Sequence, residues 1–227
     1  MNIKVLVVED EISINDILST ALRGEGYSVR NGFTAKEGRL LLETFKPDLA
    51  LLDLNLPDES GFELCKTINS KYLIPIIILT ARNDIVDKIL GLELGADDYI
   101  TKPFHIKEVL TRVKIALRCV EKYKLKGQSE FLELSNHVKI NMDSRIVLKD
   151  EGEIRLKPQE YDLLEFLVKH KNRVFSREEL LNHVWGLDYD GDIRTVDVHV
   201  RRLRGKLDIH KEKSLIDTVF GVGYVMR

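Results

Sequence analysis

Several protein classes are excluded by what this 227-residue chain has little of. Two cysteines, Cys65 and Cys119, are too few for a disulfide framework. Five prolines and fourteen glycines are too few for a collagenous or low-complexity protein. The longest apolar run, Leu73-Ile-Pro-Ile-Ile-Ile-Leu79, is far short of the roughly 20 residues a membrane helix needs. The first apolar run leads straight into Glu9 and Asp10, unlike a signal peptide. The six histidines show no metal-ligand spacing with the cysteines. Neither sign of charge dominates: residues 1–126 carry 18 basic and 19 acidic side chains, and 127–227 carry 17 and 18. Bulk charge therefore gives no hint of nucleic acid, and only 194–206 is locally basic. The expectation is a reduced, cytoplasmic protein without a membrane partner.

What is present is a change of pattern near the middle. Up to about residue 120, short β-branched runs (Ile3–Val8, Ser28–Asn31, Asp48–Leu52, Pro75–Leu79, Asp98–Thr101) alternate with helical periods. Ile14, Ile17, Leu18, Ala21 and Leu22 form one amphipathic stripe, and similar patterns cover 35–45, 61–71, 84–94 and 105–118. Five strands alternating with five helices predict right-handed crossovers and a parallel sheet covered on both faces, with residues 1–120 as one domain. A polar, lysine-bearing stretch at 121–129 reads as a linker. The second domain, 130–227, has short strands at 131–134, 138–141, 145–148 and 154–156, helical patterns at 158–171, 176–184 and 193–207, and a closing hairpin around Gly221.

Open parallel sheets bind ligands at the carboxyl ends of their strands. There the first strand presents Glu9 and Asp10, the third Asp53, the fourth Thr80 and the fifth Lys102. Three converging carboxylates call for a divalent cation or an ammonium, and an open, oxygen-rich site suits Mg²⁺. Asp53, on the central strand before the turn-rich 54–61 loop, is the best nucleophile toward phosphorus, forming an aspartyl phosphate. Lys102 is placed to neutralise the transferring group and Thr80 to bond one of its oxygens. No residue is assigned to catalytic turnover.

Val8-Glu9-Asp10-Glu11, Asp53-Leu-Asn-Leu-Pro57 with Gly61, Leu79-Thr80-Ala81, and Gly95-Ala-Asp-Asp-Tyr99 through Lys102-Pro103-Phe104 resemble the receiver domain of two-component response regulators, an α/β, flavodoxin-like (β/α)5 fold. The resemblance implies that Asp53 accepts phosphate from a sensor histidine kinase. It makes Glu9, Asp10, Asp53 and the Asn55 carbonyl the Mg²⁺ ligands, Thr80, Tyr99 and Lys102 the switch, and Lys102–Pro103 a cis bond. Lys88, Ile89, Leu92, Asp97, Asp98, Glu108, Leu110 and Arg112 lie near the last helices. By resemblance that face forms a homodimer on phosphorylation, with Lys88–Glu108 and Asp98–Arg112 as cross-subunit pairs. A third pair would need an arginine at 119, where this chain has Cys119.

In the helix over 193–207, Val196, Val200, Leu203 and Leu207 make the buried stripe. Arg194, Val198, Arg201, Arg202 and Gly205 fall opposite, with Thr195, His199, Arg204 and Lys206 on the shoulders, a composition that suits the major groove of double-stranded DNA. Two preceding helices and a terminal hairpin make an α+β winged helix-turn-helix. Phe175-Ser-Arg-Glu-Glu-Leu-Leu181, Val184-Trp185-Gly186, Arg194 to Arg204 and Gly221-Val-Gly-Tyr224 resemble the effector domain of the OmpR/PhoB subfamily. That implies groove and phosphate contacts at Val198, His199, Arg202 and Arg204, with Thr218 and the wing residue after Val219 near a phosphate or minor groove. It also implies tandem half-sites, and an acidic 186–191 loop, with Asp192 beside it, facing RNA polymerase. Three departures stand out: Phe220 where the wing usually has arginine, Lys157 where a capping threonine is usual, and Gly205 inside the helix.

Two alternatives stay open. An aspartyl-phosphate hydrolase would explain the acids but leave the second domain idle, and the second aspartate such enzymes need is here Asn55. A constitutive DNA-binding protein would leave the intact set Asp10, Asp53, Thr80 and Lys102 unused.

Overall fold

The structure, a computed structural model, describes residues 3–81, 90–122, 131–135, 137–150, 152–208 and 214–227, the side chains of 118–122 excepted. The chain divides into two units, Met1–Leu117 and Arg118–Arg227.

In the first unit the β-branched runs become β1 (Lys4–Val8), β2 (Ser28–Gly32), β3 (Leu49–Asp53), β4 (Ile76–Thr80) and β5 (Asp98–Thr101), all parallel, in the order β2-β1-β3-β4-β5. Helices α1 (Ile12–Gly24), α2 (Ala35–Thr44), α3 (Gly61–Lys71) and α4 (Ile106–Lys122) cross between or follow them. β3 and β4 are buried along their whole length, as a doubly covered sheet requires. One face packs Leu6, Val8, Ala50, Leu52, Ile76 and Ile78 on Leu42, Leu64, Cys65 and Ile68 of α2 and α3. α2 starts where Thr34 Oγ1 accepts the Glu37 amide hydrogen and the Glu37 carboxylate accepts that of Phe33, two otherwise orphaned donors. The helix expected over 84–94 lies mostly outside the described residues. So does most of the expected linker, although its first two residues continue α4.

In the second unit β6 (Leu132–Glu133), β7 (Val138–Asn141), β8 (Ile146–Lys149) and β9 (Gly152–Ile154) form an antiparallel sheet. β8 and β9 sit one or two residues from their expected bounds. The shift follows the left-handed turn at Arg145, whose buried guanidinium bonds Asp162 and stacks on Tyr161. Then come α5 (Pro158–Lys169), β10 (Phe175–Ser176), α6 (Arg177–Val184), α7 (Arg194–Leu207), β11 (Ile216–Val219) and β12 (Gly223–Met226), with the short strands ordered β10-β12-β11. Ser176 and Glu179 make a full capping box on α6. On α5 only half exists: Glu160 accepts the Lys157 amide hydrogen at 2.9 Å, while a lysine side chain has no acceptor to return. Glu160 also holds Lys206 Nζ at 2.6 Å, and Lys149 Nζ bonds the carbonyls of Lys206 and Asp208. The far end of α7 is thereby pinned.

Candidate functional site

The acids do converge at the carboxyl edge of the parallel sheet. Glu9 and Asp10 follow β1, and Asp53 closes β3. Ligand oxygens of all three lie within 4.8 Å of one another. Lys102 Nζ reaches into the group, 2.5 Å from Asp53 Oδ2 and 2.8 Å from Glu9. Glu9 is wholly buried, and that burial, with the negative charge of Asp53, pushes its carboxyl up to about 7 despite Lys102. Burial disfavours the Lys102 ammonium, but its bonds to Asp53 and Glu9 outweigh this and raise its pKa. Among the described residues one cation faces three carboxylates, which leaves uncompensated negative charge. With donors that are all oxygen, the residues fit a hard divalent ion such as Mg²⁺.

The framework behind these side chains is polar where helical periodicity calls for apolar residues. Asn15, buried on α1, donates from Nδ2 to the carbonyls of Glu9 (2.8 Å) and Gly32 (3.3 Å). Sequence reasoning passed over it; its signal is a polar residue on the Leu18–Leu22 stripe. The loop after Asp53 is also tied down. The Asn55 amide donates to Asp53 Oδ1 at 2.9 Å, and Asn55 bridges Ser60. A Cβ at Gly61 would collide with the Asp53 carbonyl oxygen, so glycine is required there. Asp58, also passed over, accepts the amide hydrogens of Ala35 and Lys36 at 2.8 and 2.9 Å, bonds that lower its pKa. Its neighbour Glu59 pairs in bidentate fashion with Arg39. Loop and α2 amino terminus are thus one assembly.

The second cluster is on α7. Arg194, Arg201 and Gly205 are exposed, and Arg202 and Arg204 partly so. Arg204 donates to the Ile216 carbonyl and, at 2.8 Å, to Thr218 Oγ1. Asp197 accepts from Arg177 and from the Tyr224 hydroxyl, which ties α6, α7 and β12 together. Burial and that bond push Tyr224 up to about 12. The expected open shoulder is corrected at Thr195 and His199. Both are wholly buried, Thr195 against the Tyr189 hydroxyl and His199 edge-on to Trp185, because those aromatics of the 185–191 segment pack on that flank. Val198 is also buried, whereas at Gly205 nothing lies within 4 Å of where a side chain would begin.

The family model described as "Response regulator receiver domain" matches residues 5–114, and "Transcriptional regulatory protein, C terminal" matches 151–226. The solved response regulator DrrB, an OmpR/PhoB homologue from Thermotoga maritima, is 30% identical over 100% of this chain and 99% of its own, with a TM-score of 0.53. The chain belongs to the OmpR/PhoB-type response regulators. A single-site mutant of RitR is similar over the same shares of both chains, at 29% identity and a TM-score of 0.75. A CheY-like receiver domain protein from Methanospirillum hungatei is 32% identical over 54% of this chain and 98% of its own, with a TM-score of 0.51. The architecture is that of a two-component response regulator with a DNA-binding domain, a flavodoxin-like receiver followed by a winged helix, and is consistent with transcription regulation. Among the described residues, no helix is long and apolar enough to cross a membrane.

Within this response regulator, Thr80 is buried at the end of β4, its carbonyl accepting the Lys102 amide hydrogen, and Lys102–Pro103 is cis. Tyr99 is half-buried against the α3 side of the core. Several residues of the expected dimer face are engaged within the chain. Asp97 points inward, its carboxylate accepting the Ile76 amide hydrogen at 2.9 Å, so it holds the start of β4 rather than a partner. Leu92 is buried. Asp98 and Arg112, expected to pair across subunits, pair within the chain at 3.0 Å, and Arg112 also bonds Glu108. Two opposite charges within reach on neighbouring elements pair locally when no second subunit is at hand. Leu110 is half-buried. Lys88 and Ile89 lie outside the described residues, as does the side chain of Cys119.

Proposed function

We propose that the chain is a phosphorylation-switched transcription regulator: a sensor histidine kinase phosphorylates Asp53, the receivers then pair, and the effector domains bind tandem half-sites on promoter DNA. The observation that carries this reading is the Asp53 carboxylate, bonded to Lys102 and within ligand distance of Glu9 and Asp10.

The chemistry is a displacement at phosphorus. A carboxylate oxygen of Asp53 forms the new O–P bond as the P–N bond to the donor histidine breaks, and the leaving imidazole takes up a proton. Lys102 bonds a phosphoryl oxygen, and the Thr80 hydroxyl bonds another. Asp53 is kept aimed by the Asn55 amide. Glu9, Asp10, Asp53 and the Asn55 carbonyl would hold Mg²⁺, which when bound supplies positive charge against the phosphoryl oxygens. Phosphate acts by favouring an arrangement already in equilibrium. Pairing through Glu108, Leu110, Asp98 and Arg112 requires the intrachain bonds of Arg112 to be exchanged.

On DNA, Arg201 and Arg202 are assigned base edges, and Arg194, Arg204 and Thr218 phosphates. Thr195, Val198 and His199 are assigned to the support of α7 from beneath. The 186–191 loop, where Leu187 is 85% exposed, is assigned to RNA polymerase, and the cytoplasm is the compartment in which these partners meet.

Incubation of the full chain with Mg²⁺ and a radiolabelled acyl phosphate tests the assignment of Asp53. Labelling of the wild type and none of Asp53→Asn is the expected outcome; equal labelling of the variant removes Asp53 from the role.

A further inference from the structure

At the tip of the β11–β12 hairpin stands the most exposed large apolar side chain among the described residues. Phe220 is 92% exposed, with Val222, 48% exposed, two residues on. The turn does not require either ring or branch: the Val222 amide donates to the Val219 carbonyl at 3.0 Å, and Gly221 takes the positive φ of +73°. The base of the same hairpin is anchored. β12 pairs with β10 so closely that a Cβ at Gly223 would collide with the Phe175 carbonyl oxygen. Arg204 of α7 bonds the Ile216 carbonyl and Thr218 Oγ1 on β11. The strand that leads to Phe220 is therefore bolted to the helix that exposes Arg194 and Arg201, and tip and basic face are carried by one bonded assembly.

That linkage selects the occupant. A helix seated in a major groove puts a hairpin fixed beside its carboxy-terminal half against the next phosphate ridge and the minor groove beyond it. A phenyl ring has no charge to give a phosphate. It gains by leaving water, and in a minor groove it does so by entering between base pairs, which opens the step and bends the duplex.

We propose that Phe220, backed by Val222, is an apolar wedge that enters the minor groove beside the major-groove site and kinks the DNA there, so that this regulator selects easily deformed flanking steps. The proposal rests on the DNA-binding reading of the effector domain. Pyrimidine–purine steps are the ones most readily unstacked, so they are the expected flanking preference.

The test uses the full chain, treated with an acyl phosphate, and a pool of duplexes with a randomised central segment. Wild type, Phe220→Ala and Phe220→Arg each select binders, and a duplex chosen by the wild type then carries a donor and an acceptor dye at its ends. The wedge predicts that the wild type shortens the end-to-end distance and enriches pyrimidine–purine steps outside its core motif. Phe220→Ala should keep the core motif, lose the flanking preference and the shortening, and bind about tenfold more weakly with an unchanged salt dependence, because an apolar contact releases no counterions. Phe220→Arg should steepen the log–log salt slope by about 0.9, the value of one added phosphate contact. Equal affinity, motif and bend in Phe220→Ala overturns the wedge while leaving DNA binding intact. Loss of self-association in sedimentation, with DNA behaviour unchanged, gives the tip to a second copy of the chain and also overturns it. If the wild type enriches no motif at all, the DNA-binding reading itself falls. Since Phe220 is almost fully exposed, its replacement should not disturb folding.

Discussion

The two charged clusters of this chain are built in opposite ways. At the receiver rim, side chains from separate strands are gathered into mutual repulsion, with Glu9 wholly buried and Lys102 bonded to two of the three carboxylates. On α7, the arginines come from one helix, and two of them are exposed. The rim stores electrostatic strain that a cation or a phosphoryl group can relieve, which suits a switch. The helix stores none and suits a surface that reads a fixed partner. The lesson is that substitutions at the rim should change chemistry and ion binding, whereas those on the helix should divide into binding losses and folding losses according to burial.

Lys102→Met is expected to have the largest effect. Phosphorylation should slow by about 100-fold, as when one charge-stabilising group is lost from an acyl or phosphoryl transfer site. Mg²⁺, measured by calorimetry, should bind at least as tightly, because the ammonium that occupied Asp53 and Glu9 is gone; weaker Mg²⁺ binding would contradict the arrangement. Next comes Gly61→Ala. Its new methyl meets the Asp53 carbonyl, and urea unfolding should show a loss of about 1–3 kcal/mol, the range for overpacking.

On the helix, Arg202→Ala should cost about 1–3 kcal/mol of specific DNA affinity and leave the melting transition in place. His199→Ala should do the reverse. A cavity beneath α7 should cost about 2 kcal/mol of stability, with the salt slope of DNA binding by the folded protein unchanged. A reduced salt slope in His199→Ala would instead make it a phosphate contact and blur the division.

The pH dependence separates the clusters again. Glu9 titrates at about 7 in the fold against 4.5 when unperturbed, so the fold favours its protonated form. Without Mg²⁺ the corresponding stability is present below about pH 4.5 and lost as pH rises toward and through 7, on the order of 3 kcal/mol in all. Saturating Mg²⁺ should flatten that decline, and Glu9→Gln should abolish it. The smallest effect is expected from Asp58→Ala, which unties the Asp53 loop from α2. A rise of roughly threefold in the Mg²⁺ dissociation constant is expected, below the usual effect of losing a direct partner of a metal ligand.

Much of the fold was legible beforehand because its signals are local. The β-branched runs and 3.6-residue patterns found all five receiver strands and the three effector helices, and strand ends pointed to Glu9, Asp10, Asp53, Thr80 and Lys102. Signals that depend on a neighbour were not legible. Asp97 and Asp98 are adjacent acids with the same local pattern, yet one clips the Ile76 amide and the other pairs with Arg112. Thr195 and His199 fall on the helical wheel where exposure is expected, and only the packing of Tyr189 and Trp185 makes them interior. Asn15 and Asp58 were overlooked because their partners are backbone groups outside their own helix or loop.

The amino-acid order alone determined the alternation of strands and helices, the change of pattern after about residue 120, and the types of side chain available at each strand end. Those follow from the periodicities of the backbone, which act over a few residues. Tertiary structure decided which carboxylate is buried and which exposed, where Lys102 rests, which arginines of α7 stay open, and that Phe220 stands clear of the molecule. These depend on desolvation and on partners brought together by sheet pairing and helix packing, and no local pattern encodes them.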